Sequence, residues 1–240
     1  MIQHIFDVDG TLTPARQPMT EEFAEFFIDF CAANNVYLCS GSDIDKIKEQ
    51  IPKRVMFLLQ GIFPCAGNQY WRRDKLESEE TFDPSRELIE DLFTILETSV
   101  FPFRRGNHLE NRPGMLNFST VGRNCSLKDR QTYKEWDALY GERLKIVKFL
   151  SHKYPQLDFS IGGQISIDIC PKGKDKGQII RKLKQMKENQ TIYYYGDRLF
   201  EGGNDFAVKR ELEDADRAFP VKGYKDTQKL LEEFINGRRK

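Results

Sequence analysis

Two aspartates stand two residues apart in Asp7-Val8-Asp9-Gly10-Thr11-Leu12, where the opening apolar run Ile2 to Val8 gives way to a turn. At a strand end that turns, both carboxylates can point into one crevice, and open α/β sheets bind ligands beyond the carboxyl ends of their strands. Asp7 can then attack a phosphoryl group as a nucleophile, with Asp9 as general acid and base to the oxygen that leaves or attacks. Gly10 lets the backbone approach a phosphate and Thr11 adds a hydroxyl. Taken alone, the same residues also read as a calcium-type loop or an Asx turn.

Three further groups extend the phosphoryl-transfer reading. Ser42 follows a second apolar run and precedes a helix, where backbone N–H groups favour an anion; its plainer role would be an N-cap. Lys176, in Gly173-Lys174-Asp175-Lys176-Gly177, opens another helix and could neutralise charge on a transferring group; its plainer role would be a solvated lysine. Asp197 ends the run Tyr195-Gly196, and Gly202-Gly203-Asn204-Asp205 follows in a loop. Asp197 with Asp7 would offer the hard oxygen ligands that Mg2+ prefers. Taken in order, an aspartate pair, a serine, a lysine and an aspartate followed by Asn-Asp make one phosphoryl-transfer site.

Elements must position these groups. Ile2 to Val8, Val36 to Cys39 and Thr191 to Tyr195 read as buried strands. Glu21 to Asn34, Ile44 to Ile51 and Gln178 to Lys187 have helical spacing, the first with Phe23, Phe26, Phe27 and Phe30 as its apolar face. Strand, loop and helix in that order predict βαβ units and a parallel sheet. The middle differs. Arg54 to Leu76 predicts small strands, Ser85 to Ser99 a helix, and Phe101 to Asn124 antiparallel strands. Leu127 to Tyr154 is a charged helix with a break near Gly141. Phe159 to Ile169 predicts a strand with Ile161, Ile165, Ile167 and Ile169 on one side. A terminal helix covers Thr227 to Ile235. The expectation is α/β: a Rossmann-like parallel-sheet core of residues 1–81 and 171–240, with an inserted α+β cap at 82–170.

Composition narrows the class. The 240 residues are 39% hydrophobic with 18 Phe and 9 Tyr, which excludes a disordered or collagen-like chain. Lys plus Arg and Asp plus Glu number 37 each, so no bulk charge would grip nucleic acid. An anion must be bound by placement. The N-terminus has no basic region before an apolar run, so no signal peptide is read, and no stretch approaches the ~20 apolar residues of a membrane span. Cys31, Cys39, Cys65, Cys125 and Cys170 are widely spaced, which indicates neither a disulfide framework nor a zinc site. A reducing cytoplasm is the expected location.

The motif order resembles the haloacid dehalogenase superfamily, and longer stretches resemble the eukaryotic-type phosphomannomutases. These are Phe6 to Thr13 with Arg16-Gln17, Gly41-Ser42-Asp43 with Glu49-Gln50, Phe103 to Gly106, Arg112 to Asn117, Gly122 to Cys125, Phe159 to Asp168 and Gly202 to Asp205. The resemblance runs from the N-terminus to about Asp205. It implies that Arg16, Arg112, Arg123 and Arg130 grip the phosphate remote from the reacting one, as guanidinium groups do with paired hydrogen bonds. It also implies that Ser166 and Asp168 bond sugar hydroxyls, and that Asp7, Asp9 and Asp197 gather Mg2+.

The implied reaction interconverts mannose 6-phosphate and mannose 1-phosphate, supplying the latter for GDP-mannose synthesis. A hexose 1,6-bisphosphate activator would phosphorylate Asp7, and cap closure would exclude water. The implied assembly is a homodimer through the cap, to which Phe93, Phe101 and Phe103 could contribute. Three departures stand out: Pro64-Cys65-Ala66-Gly67 replaces the family's usual Glu-Asn-Gly, Lys174 stands where the family has Trp, and Lys209, Glu211 and Asp214 occupy the region of a second cation. A sugar-phosphate phosphatase and a non-catalytic sugar-phosphate-binding protein are the competing functions.

Overall fold

Short apolar runs alternate with amphipathic stretches at both chain ends, and the two ends build one sheet. The computed structural model describes residues 1–186 and 190–238. In chain order the first half contains β1 (Ile2–Asp7), α1 (Glu21–Ala33), β2 (Asn35–Cys39), α2 (Ile44–Gln50), α3 (Lys53–Met56), β3 (Gly61–Phe63), β4 (Gln69–Arg72), β5 (Lys75–Glu79) and α4 (Arg86–Thr98). Then come β6 (Leu109–Arg112), β7 (Met115–Phe118), α5 (Leu127–Tyr140), α6 (Glu142–Lys153), β8 (Leu157–Gly162) and β9 (Ser166–Pro171). The chain closes with α7 (Gln178–Met186), β10 (Thr191–Gly196), α8 (Phe206–Glu211), β11 (Arg217–Pro220) and α9 (Tyr224–Arg238).

The larger sheet has seven strands in the order β11-β10-β1-β2-β3-β4-β5, parallel from β11 to β3 and antiparallel at β4 and β5. Successive side chains alternate between its faces. Phe6 and Leu38 join Phe23, Phe27 and Phe30 of α1 on one side, while Ile5, Tyr37 and Cys39 meet Ile179, Ile180 and Leu183 of α7 on the other. Both faces are therefore covered, as parallel sheets require. The smaller sheet, β6-β7-β9-β8, is antiparallel and lies between the two halves of the larger one in the sequence. The fold is thus α/β with a parallel-rich core and an inserted α+β cap.

Several expectations are corrected. Phe159 to Ile169 is a hairpin, not one strand: β8 and β9 pair antiparallel with Gly162 opposite Ser166, and Gly163 turns the chain at φ +47. Ile161, Ile167 and Ile169 pack together, but Ile165 sits in the turn and packs with Phe101, Val121 and Tyr133. The stretch Arg54 to Leu76, expected as small strands, opens instead with the short helix α3, capped by Pro52, and α8 and β11 are elements the sequence reading did not include. The terminal helix starts at Tyr224, before Thr227. The expected end of α7 at Lys187 lies outside the described residues. Gly141 does break the charged helix, in the left-handed conformation that ends α5. All five cysteines are buried free thiols.

Candidate active site

Parallel pairing fixes the core half of the site. Asp7 ends β1 in register with Cys39 of β2, and Phe6 lies opposite Tyr195 of β10. The loops that follow these three adjacent strands therefore leave the sheet together. They carry Asp9, Ser42 and Asp197. Asp43, not Ser42, caps α2, its side chain accepting from Lys46 N at 2.8 Å. The Ser42 residue lines the cavity instead. Gly10 sits at φ +76, and a Cβ there would lie 2.7 Å from Asp197 Oδ2, so only glycine lets the loop pass this carboxylate.

Lys176 is buried at the base of the site. Its ammonium donates to Asp7 Oδ1 at 2.6 Å and Asp205 Oδ1 at 2.7 Å. Tyr194 OH and Arg198 N also donate to Asp205, at 2.6 and 2.9 Å. Burial opposes the Lys176 charge, but Asp205 and Asp7 outweigh it and hold the lysine well above its ordinary pKa. Burial pushes Asp7 up, with Lys176 pulling against it and Asp205 adding to the rise. Burial, reinforced by Asp205, raises Asp197 to about 6.

Carboxylate oxygens of Asp7, Asp197 and Asp205 lie within 4.8 Å of one another. Three hard carboxylate donors, two of them pushed up by burial and by the neighbouring Asp205, fit a small divalent cation such as Mg2+. Asp9, expected among the ligands, is not in this carboxylate cluster. Its Oδ1 accepts from Arg16 N at 2.5 Å and Gln50 Nε2 at 2.9 Å, which turns it toward the loop. Asp205 was legible in the Gly-Gly-Asn-Asp run but went unassigned as a ligand. Lys209, Glu211 and Asp214 do not gather: Glu211 pairs with Arg181, and Lys184 instead meets Glu213 at 2.8 Å and Asp216 at 3.0 Å.

The cap half follows from strand alternation. Leu109, Phe118, Ile167 and Ile161 lie in cross-strand register, as do Leu116, Ile169 and Phe159, and this face packs on Leu88 and Leu92 of α4 and Ile146, Val147 and Leu150 of α6. The opposite face must then carry Glu110, Asn117, Asp168 and Ser160, also in register. Arg112 and Ser166, two positions along from Glu110 and Asp168, share it. Asn117 Nδ2 donates to Asp168 Oδ1 at 2.6 Å.

Three arginines interlock on this wall. Arg112 Nε and Arg123 Nε donate to the two oxygens of Glu110, at 2.9 and 2.8 Å. Arg112 Nη1 reaches Gly41 O across the interface at 2.5 Å, and Arg123 Nη1 reaches Ser166 Oγ at 2.6 Å. Arg130, positioned by the Ser126–Asp129 capping box of α5, donates to Arg123 O at 2.6 Å. Burial, then the neighbouring Arg16 charge, lowers Arg130 to about 10. Burial opposes the Glu110 charge too, yet Arg112 and Arg123 outweigh it and hold the acid at about 2.

Between the two walls is a cavity of about 320 Å³. It is lined by Asp7, Asp9, Arg16, Ser42, Arg112, Arg123, Arg130, Ser166, Asp168 and Asp197, so the structure brings ten of the sequence candidates together. Lys176 lies behind Asp7, outside the lining. Asn117, Lys134, Gln164, Arg198, Asn204 and Lys222 also line it and were not singled out as site residues. Lys134 had a signal, four residues beyond Arg130 on one helix face. Asn117 and Asn204 lay inside quoted runs. Their buried Oδ1 atoms have no hydrogen-bond donor among the described residues.

The eukaryotic phosphomannomutase family model matches residues 23–237. A phosphomannomutase of Dendrobium officinale is 36% identical over 212 residues, covering 85% of this chain and 83% of its own. A probable phosphomannomutase of Caenorhabditis elegans is 34% identical over 246 residues, covering 96% and 94%. A haloacid dehalogenase-like hydrolase from Bacteroides thetaiotaomicron superposes with a TM-score of 0.58 at 13% identity, covering 97% of this chain and 98% of that one, a likeness of fold. The facing carboxylate and guanidinium walls thus belong to a chain that is a member of the eukaryotic phosphomannomutase family of enzymes.

Proposed function

We propose that the protein interconverts mannose 6-phosphate and mannose 1-phosphate through an aspartyl-phosphate on Asp7. The observation that carries this reading is the pair of unlike walls facing across one cavity. A sugar bearing a phosphate at each end would place one against Asp7 and the other against Arg112, Arg123 and Arg130. Asp7 takes the phosphoryl group of a hexose 1,6-bisphosphate, forming an acyl phosphate as the bond to the sugar oxygen breaks. Asp9, held by Gln50 and the Arg16 amide, gives that oxygen its proton. On return, Asp9 removes the proton from the 1- or 6-hydroxyl of the bound monophosphate, which takes the phosphoryl group back. Lys176 pulls against the burial that disfavours charge on Asp7 and places its carboxylate, Ser42 offers a hydroxyl to the transferring group, and Ser166 and Asp168 hold the sugar. Asp7, Asp197 and Asp205 would hold Mg2+, which supplies charge shielding between Asp7 and the incoming anion.

In this reading residues 1–81 and 171–240 carry the phosphoryl chemistry and 82–170 the grip on the remote phosphate. The protein works in the cytoplasm; among the described residues no helix is long and apolar enough to cross a membrane. Incubating the protein with Mg2+, mannose 1-phosphate and a trace of hexose 1,6-bisphosphate, followed by 31P NMR, tests the function. Mannose 6-phosphate without matching inorganic phosphate is expected. Stoichiometric inorganic phosphate would make the protein a phosphatase, and binding without turnover would make it a non-catalytic sugar-phosphate-binding protein.

A further inference from the structure

The arginine wall carries its own acid. Glu110 is half-buried on β6, and its two oxygens each take one guanidinium Nε, of Arg112 and of Arg123. It also lines a smaller recess of about 160 Å³ beside the cavity, with Arg16, Lys46, Arg112 and Arg123. Each guanidinium has five donors. One of each is taken by Glu110 and another by Gly41 O or Ser166 Oγ, which leaves donors for a phosphate but fixes both planes. Without the acid, two buried like charges would face each other across the place where the phosphate must bind.

We propose that Glu110 is a positioning residue that holds Arg112 and Arg123 in place and weakens the cavity's hold on phosphate, so that a doubly phosphorylated sugar can let go and turn. Its carboxylate pairs with both cations, and an arriving phosphate meets charge that is already partly neutralised. The opposite sign would apply to a scaffold: if Glu110 only shaped the wall, losing it would loosen the arginines and weaken anion binding. This inference rests on the mutase reading for its purpose, but its measurement does not.

The test is sulfate binding by calorimetry to the full chain in EDTA, where Asp7, Asp197 and Asp205 repel an anion and sulfate reports on the arginine wall. Glu110→Gln removes the charge and keeps the shape. It should bind sulfate about tenfold more tightly than the native protein, with a steeper dependence on ionic strength. Glu110→Asp keeps the charge and should bind sulfate near the native level, and it guards against a folding defect in the neutral variant. In turnover with Mg2+, Glu110→Gln should lower kcat and KM together, the pattern of a product held too long. Sulfate binding that is unchanged or weaker in Glu110→Gln overturns the proposal. Absence of mutase turnover in the native protein would instead overturn the function and leave the sulfate result standing.

Discussion

Replacing Asp197 with Asn tests how the acidic cluster is balanced. Asp197 titrates near 6 in the folded protein against 3.8 for an ordinary aspartate, because burial and Asp205 disfavour its charge. An acid whose pKa is higher folded than unfolded binds more protons in the native state, so stability falls as pH rises between the two values. The metal-free protein should therefore lose about 3 kcal/mol between pH 3 and pH 7 from this group. Asp7 is also raised, which extends the loss upward in pH. Asp197→Asn removes the group from the balance. In EDTA its urea midpoint should exceed the native one at pH 7.5, and the difference should vanish near pH 3. Mg2+ binds the ionised carboxylates, so its stabilisation of the native protein should grow from pH 5 to pH 7.5 and nearly disappear in Asp197→Asn. Equal pH profiles for both proteins in EDTA, or a Mg2+ effect independent of pH, would refute the assignment of these carboxylates to one cation site.

Other substitutions probe the neighbouring parts. Lys176→Met leaves Asp7 and Asp205 facing each other without their shared ammonium; at pH 7.5 it should cost about 3–5 kcal/mol in chemical denaturation and abolish turnover. Gln50→Leu frees Asp9 from its side-chain donor and should lower kcat about tenfold or more while KM changes little. Phe27→Ala, at the centre of the α1 face, should cost about 3–5 kcal/mol with no change in KM for the enzyme that remains folded. We also propose pairing through the cap, where Val100, Tyr140 and Phe149 are exposed around a groove with Trp136 and Ile146. Light scattering should report a dimer, and Phe149→Glu a monomer; a monomeric native protein would exclude it.

The chemistry was legible because phosphoryl transfer needs particular groups at strand ends, and βαβ order says which strand ends meet. Asp7, Ser42 and Asp197 are far apart in sequence but follow three adjacent strands. The ligand set was less legible, since Asp7 and Asp9 share a motif while only one carboxylate faces the cluster. The other, Asp9, is bonded by Gln50 of the next helix and by the Arg16 amide. Periodicity misread the Ile161 to Ile169 stretch because both arms of a tight hairpin keep the same alternation through Gly162 and Gly163. Phe101, considered for the dimer surface, is buried against Tyr133 and Trp136, while Phe93 and Phe103 are partly exposed. Aromatic content alone does not distinguish a core from an interface.

Transfer of the phosphoryl group to Asp7 is the step on which the account depends. Brief incubation with 32P-labelled hexose 1,6-bisphosphate and Mg2+, an acid quench and peptide mapping would locate it. The account predicts label on the peptide containing Asp7, lost on chase with unlabelled mannose 6-phosphate and absent in Asp7→Asn. Label on another residue, or full turnover by Asp7→Asn, would contradict it.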